Sequence, residues 1–478
     1  MKVQEARADY MVAATGQDGW PVMTIEEIAD VNPRVDKAAI PDDLPVSFVP
    51  MPAVGAGDGS IQVEQTRPAG EVKKGFTAFL EGDVLFAKIT PCMENGKMAV
   101  VPRLVNGYGF GSTEFHVLRP KPGMDAKYLY YYVSSQAFRG EAERYMTGAV
   151  GQKRVSTTYL KQSTIPVAPL DQQKRIVAEI EKQFSRLDMA VENLKRVKAN
   201  LKRYKAAVLK AAVEGKLVEL EAELARKEGR GFESGEELLN RILTERREKW
   251  TGRGKYKEPA APDVSNLPEL PEGWVWVRLD SIAALKGGIT VDSKRQDPTA
   301  RSVPYLRVAN VQRGYLDLSE VKTINAPASD IEALRLQHGD ILFNEGGDRD
   351  KLGRGWIWEG QLADCIHQNH VFRARLISSD ILPKLVSWWG NSFGKEYFQR
   401  EGKQTTNLAS INLTKLSAFP VPLPPVAEQH RIVAEVDRRL SLLRETEAQV
   451  DANLLRAERL RQSILARAFS EEGHLEWL

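Results

Sequence analysis

Apolar positions recur at threes and fours over two long stretches of the chain and in short, broken runs elsewhere. After Pro169 the recurring set is Ile176, Ile180, Phe184, Leu187, Val191, Leu194, Lys198, Leu201, Val208 and Ala212, with Lys198 interrupting the seam. After Pro425 it is Ile432, Val436, Leu440, Leu443, Val450, Leu454, Ala457, Leu460, Ile464 and Ala468. No Pro or Gly interrupts either run, and a proline just before each start fits a helix entry. Spacing sustained over several heptads predicts coiled-coil packing. About 44 residues at 1.5 Å each makes each helix roughly 66 Å long. Asp171 and Glu428 fall in the first turns, where the positive end of the helix dipole favours acid. Antiparallel pairing of the two helices is expected, because only that arrangement gives two equivalent seams an equivalent partner.

Outside these stretches the apolar runs are short and separated by Gly, Pro and Asn. Val84-Leu85-Phe86, Met98 to Val101 and Phe115 to Leu118 are examples, as are Tyr305 to Val308, Ile341 to Phe343 and Val371-Phe372. Such runs predict strands, with short helices near Tyr128 to Phe138 and Leu382 to Phe398. The chain also repeats itself once. IPVAPLDQQKRIVAEIEKQFSRL from Ile165 aligns with VPLPPVAEQHRIVAEVDRRLSLL from Val421 at an offset of 256 residues, and Arg175 to Glu179 match Arg431 to Glu435 without a difference. GDVLF at Gly82 echoes GDILF at Gly339, His116-Val117 echoes His370-Val371, and Trp20 with Ile25 to Ile28 echoes Trp274 with Leu279 to Ile282.

The expected architecture is therefore α+β, with two pseudo-twofold-related globular parts of mixed strands and short helices joined by the two long helices. A tail at 1–18 precedes the first globular part at 19–168 and the first helix at 169–218. A charged helical segment and Pro-rich linker at 219–272, the second globular part at 273–423 and the second helix with its tail at 424–478 follow. A shared frame with divergent loops is the mark of one scaffold reading two different targets.

At 478 residues the chain is long enough for at least two cores. Apolar residues at 42% and charged residues at 27% make an ordinary globular mix, and a net charge of +3 neither demands nor excludes nucleic acid. Two cysteines, Cys92 and Cys365, exclude a disulfide framework and a cysteine-rich zinc site, and point to a reducing cytoplasm. No apolar run is long enough for a membrane span, and the N-terminus lacks the apolar core of a signal peptide.

Candidate contact residues lie in polar loops at matching places in both halves. In the first half these are Lys88, Thr90, Asn95, Lys97, Ser112, Thr113, Gln152, Lys153 and Arg154. In the second they are Asn344, Arg349, Lys351, Arg354, Gln368, Asn369, Lys403, Gln404, Thr405 and Asn407. Arg and Lys can bond guanine, Asn and Gln adenine, while hydroxyls suit phosphates. Between Asp171 and Lys216, 12 Lys or Arg face 6 Asp or Glu, a surplus that suits either phosphate or a solvated face. Reaction chemistry is thin. No phosphate-binding loop and no amino-methyltransferase motif occurs, Gly55 to Gly59 reads as a loop, and Trp388-Trp389 reads as core. His367 and His370 lack a third metal ligand in view, so no metal is expected.

LPELPEGWVWVRLDSIA at Leu267, PYLRVANVQRG at Pro304, GDILFNEGG at Gly339 and the paired P-x-x-x-Q-x-R-I-V-A-E helices together resemble the specificity subunits of type I restriction–modification systems. The resemblance implies two target recognition domains, each reading one half of a bipartite double-stranded DNA site. It implies an antiparallel coiled coil that sets their spacing and docks two modification (methyltransferase) subunits, which restriction subunits join. It places that docking seam on Ile176, Ile180, Phe184, Leu187, Leu194, Leu201, Ile432, Val436, Leu440, Leu443, Leu460 and Ile464. It also implies a chain that performs no chemistry and binds no cofactor, with S-adenosylmethionine, ATP and Mg on its partners. The alternatives are a subunit of a related type II system and, from another class, a self-contained DNA-modifying enzyme.

Overall fold

The computed structural model describes residues 20–63, 65–149, 151–249, 254–291, 297–347, 351–401, 403–404 and 409–469. The chain divides into two units, residues 1–197 with 449–478, and residues 198–448. In the first, strands β1 (Val22–Thr24), β2 (Ala29–Val31), β3 (Pro45–Val49), β4 (Gln65–Pro68), β5 (Thr77–Leu80), β6 (Val84–Ala87), β7 (Met98–Val100), β8 (Tyr108–Gly111), β9 (Phe115–Pro120) and β10 (Thr164–Pro166) follow in order. One sheet runs β2-β9-β6-β7, antiparallel throughout. The other runs β4-β3-β8-β5 with β3 and β8 parallel, and β1 pairs with β10.

The second unit repeats this plan. Its strands are β11 (Val275–Arg278), β12 (Ala283–Lys286), β13 (Arg301–Leu306), β14 (Val311–Gln312), β15 (Tyr315–Leu316), β16 (Lys322–Ala326), β17 (Ile341–Asn344), β18 (Gly346–Gly347), β19 (Gly355–Ile357), β20 (Ile366–His367), β21 (Val371–Leu376), β22 (Lys403–Gln404), β23 (Ala409–Ser410) and β24 (Pro420–Leu423). The order β12-β21-β17-β19 mirrors the first sheet, β16-β13-β20 mirrors β4-β3-β8, and β11-β24 mirrors β1-β10. Helical pairs Ala126–Ser134 with Gln136–Arg144, and Pro383–Asn391 with Phe393–Glu401, match as well.

The repeated GDVLF and GDILF motifs have a physical reason. Gly82 and Gly339 take positive φ (82° and 87°), a turn that favours glycine, and so feed β6 and β17 into their sheets. The following carboxylates are buried. Asp83 accepts from the Leu80 amide and forks the Arg119 guanidinium at 2.8 and 2.8 Å. Asp340 does the same with the Gln337 amide and Arg375, at 2.7 and 2.7 Å. Register corrects one sequence echo. Phe86 faces His116 in the first sheet and Phe343 faces Phe372 in the second, so Phe372, not His370, is the counterpart of His116.

Two long helices, α1 (Leu170–Val213) and α2 (Val426–Ala468), each contribute to both units. Their entries are set by a matched glutamine. The Gln173 amide donates to the carbonyls of Ala168 and Gly123, while its oxygen accepts from the Asp125 amide. Gln429 donates to the Pro424 carbonyl and accepts from the Leu382 amide. In the first unit Ile464, Leu465 and Ala468 of α2 share one core with Ile176, Ile180 and Phe184 of α1 and with Ile25 and Tyr128. In the second, Val208, Ala212 and Val213 of α1 join Ile432 and Val436 of α2, together with Trp274 and Leu238. In both places the two segments run antiparallel. Each buried aliphatic side chain there contributes roughly 1.5–3 kcal/mol. Trp388 and Trp389 are core residues, and the Trp389 indole donates to the Pro420 carbonyl.

Heptad phase also corrects the seam. Leu443, Val450, Ala457 and Ile464 are buried at intervals of seven, whereas Leu460 is 48% exposed. The four-residue step from Ala457 lands on Arg461, not Leu460. Arg461 lies 4.1 Å over the Phe184 ring and pairs with Asp188 at 2.6 Å. The positions repeating Arg461, Phe184 and Asp188 in the second unit are Lys205, Leu440 and Arg444, with no acid among them.

The repeat differs at one buried polar position. Trp20 donates to the Gln172 side chain in the first unit, while Trp274 donates to Glu428 in the second, and Glu428 also accepts from the Glu221 amide. Burial pushes the Glu428 carboxyl above its ordinary range. Glu221 feels burial too, but hydrogen bonds from Arg230 and Arg431 outweigh it and hold Glu221 low. A carboxyl whose folded pKa is raised binds more protons folded than unfolded, so its ionisation costs stability above the folded pKa and costs nothing below the unfolded one. Glu428→Gln, which installs the residue of the first repeat, removes this titration but leaves one acceptor oxygen for two donors. The melting temperature of the variant relative to wild type is therefore expected to rise as pH rises through and above the glutamate range; a difference independent of pH would contradict this assignment.

Candidate nucleic-acid interface

Three predicted loops of the first unit meet at one place. The Lys88 amide donates to the Glu114 carbonyl and the Lys88 carbonyl accepts from Val155, which sets Lys88 between the other two segments. The Thr90 amide donates to the Lys153 carbonyl at 3.0 Å, and Thr147 and Arg154 exchange a pair of backbone bonds. The residues after β6 are pinned in turn. Thr90 donates its hydroxyl proton to Glu94, Arg139 donates to the Glu94 carbonyl, and Lys97 Nζ donates to the Met51 carbonyl at 3.2 Å.

This bonding sorts the candidates. Arg154 forks Glu114 at 2.9 and 2.9 Å and donates to the Gln152 carbonyl, so its guanidinium braces residues 152–154 rather than facing outward unengaged. The hydrogen bonds from Arg154 hold the Glu114 carboxyl below its usual range, against the opposing effect of burial. Thr90 and Lys97 are likewise committed to the fold, and the Ser112 hydroxyl accepts from the Glu114 amide. Among the described residues, no side-chain hydrogen bond or ion pair engages Lys88, Asn95, Thr113, Gln152 or Lys153, and all but Lys88 are exposed.

The second unit gathers its loops as well. The Glu345 amide donates to the His370 carbonyl, Ile411 donates to the Glu345 carbonyl, and β18 pairs with β23, which pairs with β22. Residues 344–347, 370, 403–404 and 409–411 therefore adjoin. Asn344 is a correction. Its side chain is fully buried and donates to the carbonyls of Val308 and Val311, so it holds the fold and cannot face a ligand. Arg354 is half-buried, and its Nε has no partner among the described residues. Lys351, Gln368 and Asn369 are half-buried beside it in sequence or strand order. Lys403 and Gln404 are placed only as strand residues, and Arg349, Thr405 and Asn407 lie outside the described residues.

The two histidines do separate work. His367 Nδ1 bonds the Val371 carbonyl at 2.6 Å, and burial pushes its pKa down to about 4, so the ring is neutral near pH 7. His370 is exposed and meets Glu345 at 2.5 Å. Among the described residues no cluster of His, Cys, Asp and Glu could hold a metal, and no helix is long and apolar enough to cross a membrane.

The helix residues expected to dock partners are mostly internal. Ile176, Ile180, Phe184, Ile432, Val436, Leu443 and Ile464 are buried, and Leu187, Leu194, Leu201 and Leu440 are half-buried. A buried seam cannot be offered to another chain. The exposed apolar side chains on the helices are instead Leu170, Met189, Val197, Tyr204, Leu442, Leu455 and Leu460. A seam-centred reading missed all but Leu460, because they stand outside the recurring set. In the first unit Met189 lines a 710 Å³ groove with Tyr131 and Phe184, rimmed by Asp58, Glu181, Asp188 and Glu192 and by Arg196 and Arg461. Sequence reasoning also missed Asn32 and Arg34, which the fold places against Lys88 and Thr113.

A family model described as Type I restriction modification DNA specificity domain matches residues 17–203 and 271–453. The EcoAI type I restriction enzyme specificity subunit of Escherichia coli is 30% identical over 472 residues, covering 88% of this chain and 77% of that protein. The EcoEI specificity subunit of the same organism is 27% identical over 470 residues, with the same 88% and 77% coverage. The fold is similar to the HsdS subunit from Thermoanaerobacter tengcongensis, at a TM-score of 0.58 and 18% identity over 95% of this chain and 98% of that one. A chain from a structural study of complex assembly and conformational transition in the type I R-M system gives a TM-score of 0.66 at 20% identity, covering 95% and 99%.

If Arg154 braces its turn, Glu114→Gln should speed amide hydrogen exchange across residues 151–155 by about threefold, the scale of an exposed bidentate pair. Lys153→Ala, measured in parallel, should leave exchange unchanged. Equal behaviour of the two variants would show that the fork does not position the turn.

Proposed function

The chain belongs to the family of type I restriction modification DNA specificity domains, and from that premise we propose that it reads both halves of a bipartite double-stranded DNA site for a methyltransferase complex. The observation that carries this reading is the duplicated plan with unlike loops. Both units gather polar segments after equivalent strands, β6 and β17, yet the residues they gather differ. Lys88, Asn95, Thr113, Gln152 and Lys153 are the contact set in the first unit. In the second the described contact set is Lys351, Arg354, Gln368 and Asn369, with the paired strands β22 and β23 in the same unit. Phosphate contacts fix position, and only base-edge contacts carry sequence.

The chain supplies recognition, and its partners supply chemistry. Two modification subunits bring S-adenosylmethionine and methylate an adenine flipped from the stack, and restriction subunits bring ATP and Mg. The exposed apolar side chains of α1 and α2, with the groove beside Met189, suit protein partners, since its four carboxylates outnumber its two guanidiniums and leave a net negative lining that disfavours a phosphate backbone.

Mapping methylated adenines genome-wide in cells with and without this chain tests the reading. A bipartite motif present only with the chain is expected; methylation that does not depend on the chain would refute it. A second outcome concerns length. The chain passes between its two units only within α1 and α2. Adding one heptad to each helix near residues 197 and 449 should change the gap between the half-sites and leave their sequences unaltered. An unaltered gap would separate helix length from site spacing.

A further inference from the structure

One cleft of the first unit joins two of the loop candidates, Lys88 and Thr113, to a segment that no sequence motif marked, and has the chemistry of an anion seat. It measures about 390 Å³, and its lining brings Asn32, Arg34 and Lys37 beside Lys88, Thr113 and Thr157 over an apolar floor. Three cations and three hydroxyls, counting Thr77, line it without one carboxylate. Resting on the DNA-reading function proposed above, we infer that this cleft seats a phosphodiester of the half-site held by the first unit, with Arg34 and Lys88 as its charge contacts.

The cleft is built rather than incidental. Asn32 takes a left-handed backbone (φ 54°), a conformation that L residues adopt rarely and that clusters at functional positions. Its amide donates to the Val117 carbonyl, its side-chain oxygen accepts from the Val117 amide, and its side-chain nitrogen meets His116 Nδ1 at 3.0 Å. That clamp fixes where Pro33 and Arg34 begin. The Lys37 ammonium is already committed to the carbonyls of Lys73 and Phe76, so it supplies field and little direct bonding. Arg34 is exposed, Lys88 is half-buried, and neither side chain has a hydrogen bond or ion pair among the described residues.

The second unit does not repeat the seat. Lys286, opposite Arg373 in the sheet, holds the register position of Asn32, and Gly287-Gly288 follow where Pro33-Arg34 stand. Gly288 lies so close to the β20 end that an added Cβ would sit 2.0 Å from the His367 carbonyl. Backbone fills there the space that is open in the first unit.

The test measures DNA affinity against salt for the full chain assembled with its methyltransferase subunits. Each phosphate contact contributes about 0.9 to the slope of log affinity against log salt. Arg34→Ala and Lys88→Ala are each expected to lower that slope by about 0.9 and to weaken binding roughly tenfold at 0.1 M salt, with the methylated motif unchanged. Arg34→Lys should restore the slope. An unchanged slope in both alanine variants overturns the assignment, and so does an altered half-site sequence, which would make the cleft a base reader. Inorganic phosphate is the control: if it raises the melting temperature of wild type but not of Arg34→Ala while the slopes agree, the cleft serves a free anion and the inference fails. If the wild-type assembly shows no sequence preference, the failure belongs to the DNA-reading function instead.

Discussion

Each recognition unit is completed by chain from the far half of the sequence, and that exchange is the constraint from which the rest follows. Ile464, Leu465 and Ala468 close the core around Ile25 and Tyr128, while Val208, Ala212 and Val213 close the core around Trp274 and Leu238. Neither globular part has a complete apolar interior without a stretch of helix that the other repeat leads into. Folding of the loops that meet DNA therefore depends on seam contacts remote from them in sequence. The Pro-x-x-x-Gln entry serves the same end, because Gln173 and Gln429 tie the first turn of each helix to the globular part before it.

Much of this was legible in advance, for identifiable reasons. A heptad repeat is a one-dimensional signal, so the helices could be read directly; their antiparallel sense followed from the symmetry of the duplication. The GDVLF and GDILF motifs were legible as strands because Val84–Ala87 and residues 341–343 are continuous apolar runs of buried residues. What periodicity blurs is phase. Leu460 is apolar and near the seam, yet the four-residue step after Ala457 belongs to Arg461, whose aliphatic stem and planar head fit over Phe184. Register is blurred likewise, since His370 resembles His116 in sequence while the sheet pairs Phe372 in its place.

Individual contact residues were less legible, because residue type states what a side chain can bond and not what it does bond. Asn344 has the chemistry of an adenine reader and is buried holding two carbonyls. Arg154 could bond guanine and instead grips Glu114. Arg34 carried no signal at all: a lone arginine after a proline is unremarkable until the fold sets it across from Lys88. Where polar loops converge is a property of the sheet, and only bonding partners divide that set into braces and free donors.

The duplication is faithful in backbone and unfaithful in charge. Arg461 over Phe184 with Asp188 in the first unit becomes Lys205, Leu440 and Arg444 in the second. Glu192 adds further acid on the α1 surface of the first, where the second carries Ala448, while Glu181 keeps an acidic counterpart in Asp437. A pair of identical subunits settling on these equivalent surfaces would encounter unlike electrostatic environments. Geometric equivalence then does not bring energetic equivalence.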